Sequence, residues 1–418
     1  MSTQWIQGTL DEVCTCITDG AHFSPRSVDE GMPMASVKDL TDHGIDLGTC
    51  RRISYDDYDT LVRQGCQPGV GDVLIAKDGA TALDTVCEVK SPLDVVLLSS
   101  VAILRPDANR LSASYLRYYL ELSRTRAYMK SAFITGAAIP RVVLSDFKRC
   151  KIVLPPLAVQ RSISHVLGAY DDLIENNLRR VAILEEMAHA IYREWFVEFR
   201  YPGHDLEESQ RFNRCGMPRG WAGATVGDIA EETRQPVDPG TLDATTPYVG
   251  LAHIPRRSIA LCDWGDAYEA QSTKLRFHKG DILFAKIRPY FHKVAVAPVD
   301  GVCSSDTIVI RPTRPECYSL VLCCVSSDEF VAHSVQTAQG TKMPRANWDV
   351  MRAFPVAVPP TSLLERFSDV IGNLVDLICN LVLSTRALRS ARDLLLPRLI
   401  SGELDASNIN IDTDEDEL

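Results

Sequence analysis

Much that would place this chain in a familiar class is missing from it. No window approaches the roughly 18 apolar residues that span a bilayer. The opening "MSTQWIQGTLDEV" lacks the basic-then-apolar order of a signal peptide, so a cytoplasmic protein with no membrane association is expected. The 13 cysteines, an odd number, follow no framework spacing, which fits reduced thiols. Cys14 with Cys16 and Cys323 with Cys324 are the close pairs, and neither has a Cys or His partner at zinc spacing, so no metal is expected. An excess of positive charge is missing too. With 44 Lys and Arg against 55 Asp and Glu, the formal net charge of −11 argues against a generic nucleic-acid binder. Any contact with DNA must come from local basic surface or be shared with partners.

Catalytic signatures are also lacking. There is no G-x-x-x-x-G-K-[ST] phosphate loop, no G-x-G-x-x-G after a strand, no G-x-S-x-G elbow and no H-E-x-x-H helix. Asp84 followed by Glu88 and Lys90 loosely matches the carboxylate and Glu-x-Lys set of metal-dependent nucleases. The second half of the chain has no counterpart to it. A chain of 418 residues, long enough for two or three domains, thus leans towards recognition or scaffolding.

What the sequence does have is a repeat. "PPLAVQRSISHVLGAYDDLIENN" opens at Pro155 and "PPTSLLERFSDVIGNLVDLICNL" at Pro359. "GAAIPR" (Gly136 to Arg141) and "GTKMPR" (Gly340 to Arg345) stand at that same separation. Further upstream the separation widens, through "GDVLIAKDG" from Gly71 and "GDILFAKIR" from Gly280 to Pro33 and Pro247. Arg105-Pro106 and Arg311-Pro312 each end an apolar run. Variable modules alternating with fixed connectors therefore read as a tandem duplication. Short Val/Ile/Leu runs bounded by Gly, Pro and Asp, with helix-like patches, make each module α+β.

The connectors are helical. After Pro155-Pro156, apolar residues at alternating steps of four and three run through Ile163, Leu167, Tyr170, Ile174, Asn177, Val181, Leu184, Ala188, Ile191 and Trp195. The second copy repeats the seam at Phe367, Ile371, Leu374, Ile378, Leu381, Leu388 and Leu395, with Thr385 and Arg392 as polar interruptions and Pro397 expected to end or kink the helix. Asn177 reads either as a register-setting polar residue or as a slight irregularity in the heptad. Each amphipathic helix needs a partner for its stripe, and its sister is the obvious one. The expected domains are 1–154, a first spacer helix over 155–200, 201–358 with a linker at its start, a second spacer helix over 359–404, and an acidic disordered tail over 405–418.

The basic signal is local. Between Lys274 and Lys293 the second module carries Lys274, Arg276, Lys279, Lys286, Arg288 and Lys293 against one acid, Asp281, with Phe277, Tyr290 and Phe291 interleaved. Cations on phosphates supply affinity, and Arg, Lys and Tyr at base edges supply choice. Lys77, Arg141, Lys148, Arg149 and Lys151 are the nearest equivalents in the first module. In the recurrent loops, Gly136 and Gly340 permit close backbone approach, Arg141 and Arg345 can form bidentate contacts, and Lys342 adds charge. The bland alternative is a solvated face. His278 and His292 lie among these cations, whereas His165 and His189 lie off the apolar seam of the first helix.

On "PPLAVQRSI", "LIENNLRRVAILEEMAHAIYREWFVEF", "ALRSARDLLLPRLISGEL" and the repeated Gly-Asp and Gly-to-Pro-Arg elements, the chain resembles the DNA-specificity subunits of type I restriction-modification enzymes over nearly its whole length. The resemblance implies two target-recognition domains on a pair of long antiparallel coiled-coil helices. Each domain would read one half of a split, asymmetric site in double-stranded DNA, with the helices as a ruler for the gap. It implies no catalysis and no cofactor on this chain. S-adenosylmethionine, ATP and Mg would belong to the partners, two methyltransferase (M) subunits and the restriction/translocase (R) subunits. The competing readings are a non-DNA helical scaffold and a free-standing nuclease or methyltransferase.

Overall fold

The computed structural model describes residues 5–134, 140–203, 216–269, 272–340 and 342–407. The chain divides into two compact units, Met1–Tyr170 with Ala391–Leu418, and Asp171–Ser390. Both boundaries fall inside long helices, Leu157–Tyr192 and Thr361–Ile400. Each unit is thus one α+β module together with a stretch of both helices, the first assembled from two segments of the sequence and the second from one.

The modules repeat one topology. In the first unit a four-stranded antiparallel sheet has the order Cys14–Asp19, Val101–Pro106, Val73–Ala76, Val86–Glu88. In the second the order is Ala230–Thr233, Thr307–Pro312, Ile282–Ala285, Val294–Val296. The central register matches as well: Val101 faces Ala76 and Leu104 faces Val73, as Thr307 faces Ala285 and Ile310 faces Ile282. These central strands are buried along almost their whole length, which is why they read as continuous Val/Ile/Leu runs without alternation.

The repeated Gly-Asp and Arg-Pro dipeptides have one structural explanation. Asp72 receives two hydrogen bonds from Arg105, both 2.7 Å, and one from the Gly69 amide. Asp281 receives two from Arg311, at 2.6 and 2.7 Å, and one from the His278 amide. A buried carboxylate at the start of one central strand is thereby clamped to an arginine at the end of its neighbour.

The helix starts differ. Gln160 of "PPLAVQR" is buried, donates to the carbonyls of Pro155 and Arg110, and accepts from the Ser112 amide, fixing the first helix to its module. The second helix has Leu364 at that place; its amide bonds to the Pro360 carbonyl as that of Gln160 does to Pro156, but its side chain has no polar group to reach its module's backbone. Within the second unit the helices run antiparallel, since Asn177 meets Ser384 (3.4 Å) while Trp195 stacks near Phe367 (ring centroids 5.5 Å apart). Ile174, Val181, Trp195, Phe367, Ile371, Ile378 and Leu381 are buried there, with Leu184, Ile191 and Leu374 half-buried beside them. In the first unit Ile163 and Leu167 share a core with Leu395, Leu396, Leu399 and Ile400. Tyr170 and Leu388 are half-buried. Asn177 thus acts as a polar seam residue with a partner.

Three expectations need correction. Pro397 does not end the second helix, which runs on to Ile400. So close to the C-terminus the proline removes one intrahelical bond, to Asp393, whose exposed position leaves the carbonyl to solvent. The same helix, Thr361–Ile400, contains a window with mean hydropathy 1.4, long and apolar enough to cross a membrane by length and composition. Phe367, Ile371 and Ile378, however, are buried in the seam. Finally, position 405 is not where order stops. Ala406 is buried and Leu404 half-buried in the first unit's core, while 408–418 lie outside the described residues.

A π turn at Arg193–Val197 closes the first helix and turns the consecutive residues Trp195 and Phe196 inward. Phe196, Phe199 and Tyr201 then surround Trp221, the residue just before the strand Ala222–Thr225. In the first unit Trp5 has the same place before Ile6–Thr9, and it packs over Gly402, where an added Cβ would lie 3.1 Å from the ring.

Candidate nucleic-acid interface

Two recurrent motifs that are far apart in the sequence form one surface in each module. After Val73–Ala76 the chain enters Lys77-Asp78-Gly79, and the Pro140-Arg141 loop is laid against it. The Gly79 amide donates to the Pro140 carbonyl (2.9 Å) and the Val142 amide to that of Lys77 (2.9 Å). After Ile282–Ala285 the chain enters Lys286-Ile287-Arg288, and Pro344-Arg345 is bound identically. There the Arg288 amide donates to the Pro344 carbonyl (2.8 Å) and the Ala346 amide to that of Lys286 (2.9 Å). Gln339 and Arg345 exchange both backbone bonds, at 3.0 and 2.9 Å, closing the second loop into a tight hairpin. Gly340 has φ +99° there, and a Cβ would approach the Met343 carbonyl to 3.3 Å. Gly136 lies outside the described residues.

The basic residues singled out in the sequence divide into two groups. Four turn inward. Lys77 is buried 3.1 Å from Asp19. Lys286 lies 3.5 Å from Glu232, and Lys274 is buried, donating to the carbonyl and hydroxyl of Ser272. Lys293 donates to the Leu251 carbonyl. Burial holds the Lys274 ammonium below its usual pKa, and burial followed by the charge of Arg256 does the same for Lys293. Lys77 and Lys274 are therefore ion-pair and hydrogen-bond anchors of the fold in this conformation, not outward phosphate contacts.

The outward group is on the paired loops. Arg141 is exposed and lies 3.2 Å from Asp78, and Arg345 is exposed 3.5 Å from Asp306. Arg288, Tyr290, Lys342 and Met343 are exposed. Arg276 is exposed too, but it lies on Lys274–Phe277 in a different sheet, so the continuous basic run of the sequence is split in space. Sequence reasoning passed over Arg256, whose guanidinium covers the Phe291 ring at 4.0 Å. Its signal was the Arg256-Arg257 pair, which lies outside the basic run.

The nuclease-like set is not assembled. Asp84 pairs with Lys130 (2.5 Å) and lines a cavity with Glu121, Arg124 and Arg126, whereas Glu88 and Lys90 line a separate cavity with His43. His189 and His292 line a cavity of about 420 Å³ with Arg257 and Asp328. Burial lowers the His189 pKa, partly countered by Glu185.

Comparison with known proteins places this geometry. Residues 3–185, the first module and most of the first long helix, match the family model described as "Type I restriction modification DNA specificity domain". The chain is 24% identical over 302 residues to the type I restriction enzyme MjaIX specificity subunit of Methanocaldococcus jannaschii, covering 70% of this chain and 69% of that protein. It is 21% identical over 389 residues to the HindI specificity subunit of Haemophilus influenzae, covering 76% and 83%. Among solved structures, a type I restriction-modification S subunit from M. genitalium aligns over 95% of this chain and 96% of its own, with a TM-score of 0.58 at 14% identity. At that identity the likeness shows the shared fold.

Proposed function

We propose that this chain, similar to type I restriction-modification DNA-specificity subunits, reads a bipartite, asymmetric site in double-stranded DNA, one module to each half. What carries the reading is that one paired loop is built twice by the same backbone bonds with unlike side chains. Alike frames with unlike readers suit two different half-sites; identical readers would suit a palindrome. In the second module Arg288, Tyr290, Lys342 and Arg345 project from that loop, and in the first Arg141 does.

The chain itself performs no chemistry in this reading. Two methyltransferase subunits supply S-adenosylmethionine-dependent adenine methylation, with the target base turned out of the duplex. ATP- and Mg-dependent restriction subunits supply translocation and cleavage. The long helices bind the methyltransferases, and their length sets the unspecified gap. The formal charge of −11 fits a chain that shares phosphate contacts with its partners.

The test is single-molecule sequencing for methylated adenine in cells that express the neighbouring methyltransferase with and without this chain. The expected result is a split, asymmetric motif that appears with this chain alone. If partner expression is verified and no chain-dependent motif appears, DNA reading is refuted and a helical scaffold remains. Arg345→Ala or Lys342→Ala should weaken one half-site by about 1–3 kcal/mol where the contact is bidentate to a base. A heptad inserted in Leu157–Tyr192 should change the tolerated gap before either half-site. Altered half-sites with an unchanged gap would refute the ruler.

A further inference from the structure

The second module contains a cavity of about 370 Å³ against the Arg288 loop, within the roughly 300–1,000 Å³ range of small-ligand pockets. Three cations line it, Arg256, Arg288 and Lys293, and no carboxylate does. Among the described residues none of the three forms an ion pair, in a chain where acids outnumber bases. Converging cations repel one another, and an anion between them would relieve that repulsion. Burial, and after it the charge of Arg256, lowers the Lys293 pKa.

The backbone gives a second, independent sign. Arg288 sits in the left-handed region, φ 52° and ψ 61°, where an L side chain is strained. The residue at the same place in the first module, donating the same amide bond to the Pro-Arg loop, is Gly79, with φ +95°. The preceding position is apolar Ile287 here but Asp78 there, and Asp78 pairs with Arg141. An arginine is thus kept at a strained position where the fold accepts glycine, and beside it the neutralising acid is absent.

The rest of the cavity wall is apolar. Phe291 carries the Arg256 guanidinium on its face, which presents a second planar surface, and the half-exposed Met343 lines the same cavity. A bare phosphate would leave this wall unused, and an apolar ligand would leave the cations unpaired. We propose that this pocket binds one nucleotide, its base against Phe291, Arg256 and Met343 and its phosphate against Arg288 and Lys293.

A nucleotide could reach the pocket from two sources. An intact duplex presents stacked bases on a convex rod, so a nucleotide from DNA must leave the stack to enter; this source rests on the DNA-reading function above. The other source is a free mononucleotide, which does not.

The experiment uses the full-length chain and 2-aminopurine fluorescence with two probes: the free 2-aminopurine deoxyribonucleoside 5′-monophosphate, and a duplex with one 2-aminopurine opposite an abasic site. Saturable binding is expected, with the monophosphate about ten-fold tighter than the nucleoside, the size of a lost charge-assisted contact. Arg256→Gln and Lys293→Met should each weaken it about as much. Arg288→Gly should weaken it without lowering the melting temperature, which separates loss of the ligand contact from loss of the fold. A variant-sensitive response from the duplex probe alone assigns an everted nucleotide, and one from the free probe alone assigns a free nucleotide, even if duplex DNA is never bound. If neither probe responds to the substitutions, the pocket assignment is wrong, whatever the outcome for duplex binding.

Discussion

Replacing Asp281 with alanine should be among the most destabilising single changes in the second unit. Its carboxylate is 5% exposed, and Arg311, which donates two hydrogen bonds to it, is 27% exposed. Deleting one partner of a buried pair costs about 3–5 kcal/mol, because the other charge is left unsolvated. Partial exposure of Arg311 argues for the lower end, near 3 kcal/mol. The orphaned His278 amide adds about 1 kcal/mol. For a unit of this size each kcal/mol lowers the melting temperature by about 2–4 °C, so the transition should fall by about 10 °C. The equivalent Asp72→Ala should cost less, near 2 kcal/mol, because Arg105 is 49% exposed and water can take over more of its solvation. Differential scanning calorimetry of the full-length variants measures both. Asp281→Ala/Arg311→Met should recover at least half of the loss, since no charge is then stranded. A single Asp281→Ala within about 1 kcal/mol of wild type, or no more costly than Asp72→Ala, would refute the clamp argument.

Other expectations follow from the same geometry. Arg288→Gly should raise stability by about 1 kcal/mol by relieving the left-handed backbone, measured by chemical denaturation; destabilisation would mean the side chain supports the fold. His189 has a folded pKa below its ordinary 6.5, so the stability it contributes is present above that pH and fades as pH falls towards the folded value. His189→Gln should therefore flatten the loss of stability as pH falls below about 6.5, and an unchanged pH profile would count against burial as the cause. Trp5→Ala and removal of residues 402–407 each undo the same contact, so their costs should be well below additive in a double-mutant cycle.

The sequence disclosed the duplication, the helical seams and the strands around both Gly-Asp motifs, because each is written in local periodicity or in residues whose chemistry is repeated. It did not disclose that Asp72 meets Arg105, since ion pairs between strands leave no spacing rule. Nor could it tell which lysines face outward. Lys77 and Lys286 follow central strands, at the point where an acid two strands away in the same sheet, Asp19 or Glu232, decides their direction. The basic run from Lys274 to Lys293 looked like one patch, but it passes through two sheets and so faces two ways. Pro397 did not end its helix, because the one bond it removes falls on the exposed Asp393 and only three residues of the helix follow it.

In both modules the loops that carry the outward residues are held by the same main-chain hydrogen bonds, from Gly79 to Pro140 and from Arg288 to Pro344. The residues making these bonds contribute peptide groups, which every amino acid but proline supplies in full. Aspartate or isoleucine, glycine or arginine can thus occupy corresponding positions while the loops stay in place. Such a scaffold separates inheritance of shape from inheritance of surface chemistry: mutation can change the side chains that a loop presents without first repairing the path of its backbone.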